Sequence, residues 1–443
     1  MTLQEYIDFY HEGKSNWFVD EVKGQWHIDR IDKFISIKEY LAGKHKIRKR
    51  VDENYNGKMF ETRKVVLNYA KTIMSFETSF LMKNPTTLIC DDADTLEEFK
   101  NIYKASRYRN IDYRVLEQIV KFGECFEYVY LDEKNNIRSR LIPVEDSYPV
   151  YNETGTMIGF IEFFIFDGVS YYTVYTENTV EKYSDKGGEL FLIGQYSNLS
   201  GLPVVYRTDN ELDNLSGTSS LEDYIDIIDN MEYLVSKYLD SFYKFLNPIP
   251  VLKGTKLNVG ANGEGGVNPD VAGYVLQIDD TSNFDLVNNK MDYQSLKELY
   301  NILRQALLDT SMTPAVSVNS QDISNLSEVS IKLLFNLASI KGNLNSQVLG
   351  EGFVNRWDKM KGLLSILGKE VDGIIECTFD MAIPQNEKEI IENIKTLREV
   401  GSMSLEKALE VSPYIYDVGE EMKRIKSEKM GDKIEETKEK GLV

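Results

Sequence analysis

Between Ser219 and Phe245 the apolar residues Leu221, Ile225, Ile228, Met231, Val235, Tyr238, Leu239, Phe242 and Phe245 advance mostly by three or four positions. That spacing lines side chains along one face of an α-helix. Ser219 or Ser220 supplies an N-cap, acids fill the first turn, and Pro248 and Pro250 end the pattern. A helix of about 27 residues is roughly 40 Å long at 1.5 Å per residue, more than most globular domains hold. A second helix is predicted over residues 292–309. The segment joining them is rich in Gly, Asn and Pro, with strand-like stretches at Pro250–Lys253 and Gly273–Ile278. The pattern predicts a helical hairpin with a small excursion at its far end.

On the N-terminal side, helices are expected over Asp29–Leu41, Glu61–Leu81 (Val65, Val66, Tyr69, Ile73, Phe76 and Phe80 on one face) and Leu96–Tyr103, with Pro85 stopping the second. From Cys125 the period becomes two. A hairpin is expected with Asn135-Asn136 at its turn, then strands at Ile158–Phe166, Tyr171–Tyr175, Thr179–Tyr183 and Leu190–Gln195. Residues 1–210 thus read as one α+β domain. After the hairpin come a polar loop, Thr313–Leu326, and a long helix from Ser327 to about Leu349 with a break near Gly350 and Gly352. A strand at Ile374–Met381 and a charged helical tail complete the chain. The fold class is α+β, mostly helical.

Composition narrows the chemistry. The net charge of -20 over 443 residues is the wrong sign for gripping DNA, which recruits Lys and Arg to release phosphate counterions. An acidic wall that does meet DNA holds it loosely and lets it slide. Cys90, Cys125 and Cys377 are scattered and odd in number, and His11, His27 and His45 share no ligand spacing. Neither a disulfide framework nor a metal site is expected. GxxxxGK[ST], GxGxxG before a helix, HExxH and GxSxG are all missing, so no cofactor and no catalytic residues are expected. Asp91, Asp92 and Asp94, and the pair Asp279 and Asp280, sit in turn-like sequence where Asp caps local amides. No run of 18 apolar residues exists and the N-terminus lacks a signal layout, so synthesis in the cytoplasm and no membrane are expected.

Several short stretches stand out together: Tyr40 to Ile47 (with Gly43 and His45), Asn68 to Pro85, Gly123 to Tyr128 with Ile142-Pro143, Leu202 to Tyr206 with Asn210-Glu211, Ile383 to Asn386, Met403 to Glu406, and Pro413 to Glu421. In this order and spacing they resemble phage portal proteins of the long-tailed kind. One stretch departs from that family: Ser327-Glu328-Val329-Ser330 stands where Ser-Gly-x-Ala is common. The resemblance implies a portal fold of wing, stem, clip and crown. Residues 1–218 and 327–380 would be the wing, 219–246 the first stem helix, 247–290 the clip, 291–310 the second stem helix, 311–326 a tunnel loop, and 381–443 the crown and tail. It further implies a non-enzymatic ring of about twelve copies at one capsid vertex, with double-stranded DNA passing through it. The clip would dock the large terminase subunit during packaging and head-completion adaptors afterwards, with capsid and scaffold proteins around the ring, in a virion made in the bacterial cytoplasm. Another virion connector, or a carboxylate-dependent nuclease, would be the alternatives.

Three groups of residues are candidate sites. Asn319, Ser320, Gln321, Asp322, Ser324 and Asn325 of the tunnel loop offer short donors and acceptors, without Lys or Arg, toward DNA. Lys253, Lys256, Asn258 and Asn262 of the clip would face partner proteins. On the stem, Lys290, Lys297 and Arg304 recur every seven residues, so Lys297 and Arg304 share a helix face with Lys290 at or just before its start, while Glu222, Asp226, Asp229 and Asp240 share a face of the first stem helix. These stripes predict pairing of the basic stripe with a neighbour's acids, basic contact with DNA in the channel, or a solvated face.

Overall fold

The computed structural model describes residues 1–55, 58–245, 249–253, 283–287, 293–314, 328–384, 387–412, 414–415, 421–422 and 424–427. In chain order the elements are α1 (Leu3–Tyr10), α2 (Trp17–Glu21), α3 (Gln25–Leu41), β1 (Glu53–Tyr55), β2 (Lys58–Phe60), α4 (Tyr69–Leu81), β3 (Thr87–Cys90), α5 (Ala93–Ala105) and α6 (Tyr108–Phe122). A β-rich stretch follows: β4 (Glu124–Leu131), β5 (Ile137–Ile142), β6 (Ser147–Tyr151), β7 (Met157–Phe166), β8 (Val169–Tyr175), β9 (Thr179–Ser184), β10 (Phe191–Ser197) and β11 (Val204–Arg207). Then come α7 (Ile225–Phe245), β12 (Ile249–Lys253), β13 (Asn283–Val287), α8 (Tyr293–Thr310), α9 (Glu328–Leu334), α10 (Asn336–Ile366), β14 (Ile375–Thr378), α11 (Glu387–Glu399) and α12 (Leu405–Val411).

Strands β6 to β10 form an antiparallel meander, and β11, β4 and β5 form a second sheet. The first carries the N-terminal helices on one face, where Trp17 and Phe18 pack with Tyr148, Ile161 and Tyr172. Phe126, Ile142, Phe160 and Tyr175 join the two sheets. The main core lies beyond, between α4, α6, the second sheet, the first turns of α7 and the middle of α10. The β4–β5 hairpin forms as its alternation predicts, and Asn135 adopts positive φ at the turn.

Gly123 shows how tightly this core is folded. It ends α6 at φ 78°, and a Cβ there would lie 2.5 Å from the backbone nitrogen of Thr218. Only glycine allows both the left-handed turn and that approach. The Thr208 amide then donates to the Gly123 carbonyl at 2.9 Å, pinning β11 beside the end of α6.

Buried charges tie remote segments together. Arg356 of α10 is wholly buried, with Asp112 of α6 at 2.5 Å and Glu127 of β4 at 2.8 Å. The Tyr206 hydroxyl donates to the same Glu127 oxygen at 2.6 Å. Burial pushes the Asp112 carboxyl up to about 6 despite the guanidinium beside it. Arg30 of α3 grips Glu124 in the same way, and Glu77 of α4 accepts from Ser220 and from Asn345 of α10.

Four helical expectations change. Regular α-helix in α7 starts at Ile225, not at Ser219. The preceding turns are still capped, since the Leu221 amide donates to the Ser219 hydroxyl and the Ser219 amide to Glu222. Residues 61–68 are not helical, and α4 begins at Tyr69. The expected break near Gly350 and Gly352 is not there: α10 runs through both, and the irregularity sits at Phe335. Helix α6 was not anticipated at all. The strand expected at Gly273–Ile278 lies outside the described residues, and β12 pairs instead with Asn283–Val287.

Candidate functional site: the central helix pair

Helices α7 and α8 are joined through the antiparallel β12–β13 pair, whose register sets Ile249 opposite Val287. Leu221, Tyr224, Ile228 and Met231 enter the main core, and so does Leu307 near the end of α8. The hydroxyls of Tyr69 and Tyr300 meet at 2.8 Å and tie α8 to the start of α4.

Residues 40–67 hold α7 from one side. Tyr40 stacks on His45 with ring centroids 3.8 Å apart. His45 Nδ1 lies 2.6 Å from Glu232, both side chains being buried, and the Tyr40 hydroxyl donates to Asp229. The chain then runs extended along the helix. The amides of Arg63, Val65 and Leu67 donate to Asp240 (2.8 Å), Ser236 (3.0 Å) and Glu232 (2.7 Å). Every second amide of one segment meets every fourth side chain of the other, and the two run antiparallel. Two extended residues advance nearly as far as one helical turn, which makes the match possible. These three bonds satisfy backbone groups that would otherwise have no partner, the physical reason residues 61–68 are not helical. Replacing Ser236 by alanine is expected to cost about 1 kcal/mol locally, read as roughly fivefold faster hydrogen exchange of the Val65 amide. Unchanged exchange at Val65 would exclude the contact.

Helix α3 and the same segment take up the acidic stripe. Glu222 pairs with Lys33 at 2.8 Å, Asp229 with Lys46 at 2.9 Å, and Asp240 with Arg50 at 2.6 Å. Asp226 lies 3.4 Å from Lys46 and stays exposed. Asp226, Asp229 and Asp240 share one side of α7 while Glu222 lies in the turn before it, and Asp229 and Asp240 are paired within the chain. Sequence reasoning missed Lys46, Arg50, Ser236 and Glu232. The i, i+4, i+8 spacing of Glu232, Ser236 and Asp240 was the available sign.

Lys297 and Arg304 lie on α8, seven residues apart on one face. Lys290, the clip residues Lys256, Asn258 and Asn262, and the tunnel-loop residues Asn319, Ser320, Gln321, Asp322, Ser324 and Asn325 lie outside the described residues. Lys253 is the last residue of β12. Asp92 caps α5 by accepting from the Thr95 amide at 2.8 Å, the turn role expected of that cluster. Among the described residues no three His, Cys, Asp or Glu side chains converge as a metal site, and no helix is long and apolar enough to cross a membrane.

The chain presents a helical pair carried on an α+β body, and comparison with known proteins gives the class. The family described as phage portal protein, SPP1 Gp6-like, matches residues 20–435, so this chain belongs to the phage portal proteins. The portal protein of Bacillus phage SPP1 is 21% identical over 390 residues, covering 81% of this chain and 74% of that protein. Among solved structures, the chain resembles one in the virion of a native gene transfer agent particle (11% identity, TM-score 0.42, 77% of this chain and 88% of that one). It also resembles one in the neck of the native particle, computed with C12 symmetry (12% identity, TM-score 0.44, 76% and 86%).

Proposed function

We propose that this portal protein forms a closed ring of about twelve copies at one capsid vertex, through which double-stranded DNA is packaged and ejected. The family match over residues 20–435 carries this reading. In it, residues 1–218 and 327–380 are the wing, and 219–246 and 291–310 are the stem. Residues 247–290 are the clip that docks the large terminase subunit and later the head-completion adaptors, and 381–443 are the crown and tail. Capsid and scaffold proteins meet the ring from outside, and the protein is made in the host cytoplasm before joining the virion.

Residues 311–326 form the tunnel loop, whose short, mostly neutral donors and acceptors lean on DNA without gripping it, in keeping with a chain of net charge -20. The stripe of Lys290, Lys297 and Arg304 turns to the neighbouring subunit or to the channel. ATP hydrolysis belongs to the terminase in this scheme, not to the portal. Mass measurement with negative-stain imaging tests the central point: the purified chain should form rings with a central hole and a mass about twelve times 50.9 kDa. A chain that stays monomeric at tens of micromolar would sink the reading.

A further inference from the structure

Helices α9 and α10 carry apolar residues on two opposite faces. Ile331, Phe335, Ala338 and Leu349 are buried against the body of the chain, with Phe335 stacked on Phe80. On the other side, Val329, Leu333, Leu337, Ile340 and Leu344 are each between 43% and 71% exposed. Their spacing of four, four, three and four keeps them within about 80° of arc at 3.6 residues per turn, centred roughly 160° from the buried face. The irregularity at Phe335 does not break the phase: the Phe335 amide still bonds to Ile331 and the Ser339 amide to Phe335. A helix with apolar stripes on both faces is one that is covered on both faces. Here only one is covered by the described part of the chain.

Charge indicates what covers the other. Residues 329–350, between Glu328 and Glu351, hold two lysines and no acid in a chain of net charge -20; Lys341 lies 4.0 Å from Glu77 of the same chain, and Lys332 is exposed beside the stripe. Helix α8 presents the complement: Leu299 and Ile302 are 46% and 63% exposed, and the exposed acids Glu298 and Asp309 share that side. Lys297 and Arg304 lie on the opposite side of α8 and take no part. We propose that the stripe Val329–Leu333–Leu337–Ile340–Leu344 is a docking face for a second copy of this chain, and that the Leu299–Ile302 side of the copy's α8 seats on it. Leucine and isoleucine then interdigitate at coiled-coil spacing, with the acids of one copy on the side of Lys332 of the other. The contact is head-to-tail, since the two faces differ, and so propagates round a ring.

This inference rests on the ring reading above and names the surfaces that make it. The test uses the full chain. Leu333→Glu with Leu337→Glu changes only exposed positions, so its melting temperature should match wild type, while the midpoint concentration for ring assembly by mass photometry rises at least a hundredfold. Leu333→Gln with Leu337→Gln should give the same result more weakly. Ile302→Cys with Leu337→Cys, treated with a short bis-maleimide, should give a ladder of covalent oligomers absent from the chain without the added cysteines. Rings of unchanged stability in the glutamate variant would overturn the docking face and leave the ring reading standing. Unchanged rings with a lowered melting temperature would also overturn it, by placing the stripe against the same chain. Rings without a ladder would overturn the α8 pairing, and a monomeric wild type would overturn the ring reading and this inference together.

Discussion

Replacing Arg356 by methionine is expected to destabilise the fold by about 3–5 kcal/mol, because it leaves two carboxylates in the core without their cation. Asp112 and Glu127 are buried, and Arg356 is their shared partner. The Tyr206 hydroxyl that also reaches Glu127 is a neutral donor and cannot replace a full charge. The cost comes from desolvation rather than from the net strength of the ion pair. For that reason, adding Asp112→Asn and Glu127→Gln to Arg356→Met should recover part of the loss. Urea unfolding of the three chains, followed by tryptophan fluorescence, measures both effects. A single variant within about 1 kcal/mol of wild type would mean that the guanidinium is solvated.

Gly352→Ala should also destabilise strongly, by about 1–3 kcal/mol from overpacking. A Cβ at this position would fall 2.1 Å from Tyr206 Cδ1. The ring cannot step aside cheaply, since it is fully buried and its hydroxyl is fixed to Glu127. Gly350, two positions earlier in the same helix, meets nothing within 4 Å, so Gly350→Ala should stabilise by up to about 1 kcal/mol through helix propensity alone. Opposite shifts in the urea midpoint from two identical substitutions two residues apart separate packing from propensity. Shifts of the same sign would show that α10 does not approach β11 as described.

The two glycines also show where reading the sequence succeeds and where it stops. Local preference marks both as weak points of a helix, and the expected break near Gly350 followed from that. What keeps α10 intact is packing: Gly352 is where Tyr206, 146 positions earlier in the chain, lies against the helix. The strands from Met157 to Ser197 are joined by short turns, so their alternation was legible. Helix α6 carried the right period, with Ile111, Val115 and Ile119, yet its Val120 and Phe122 run straight into the β-like segment at Cys125 and hide the boundary. Val65 and Val66 fit the helical period of α4, but amides of their segment are held by side chains about 170 residues away. In the central site the acidic stripe was visible as spacing. Its partners were not, because nothing near Asp240 in sequence points to Arg50.

The three bonds between residues 63–67 and α7 work like a vernier scale. Two extended residues span about 6.7 Å and four helical residues about 6.0 Å, so each successive rung falls about 0.7 Å further out of step. Three rungs can be accommodated; a fourth would begin to exceed the tolerance of a hydrogen bond. The ladder is therefore limited in length by its own geometry, and it fixes α7 along its axis. A slide of one residue misaligns all three rungs together, and the next position that restores any of them is a full helical turn away. Axial load on α7 is thereby handed to residues 63–67 in steps of about 6 Å rather than taken up by creep.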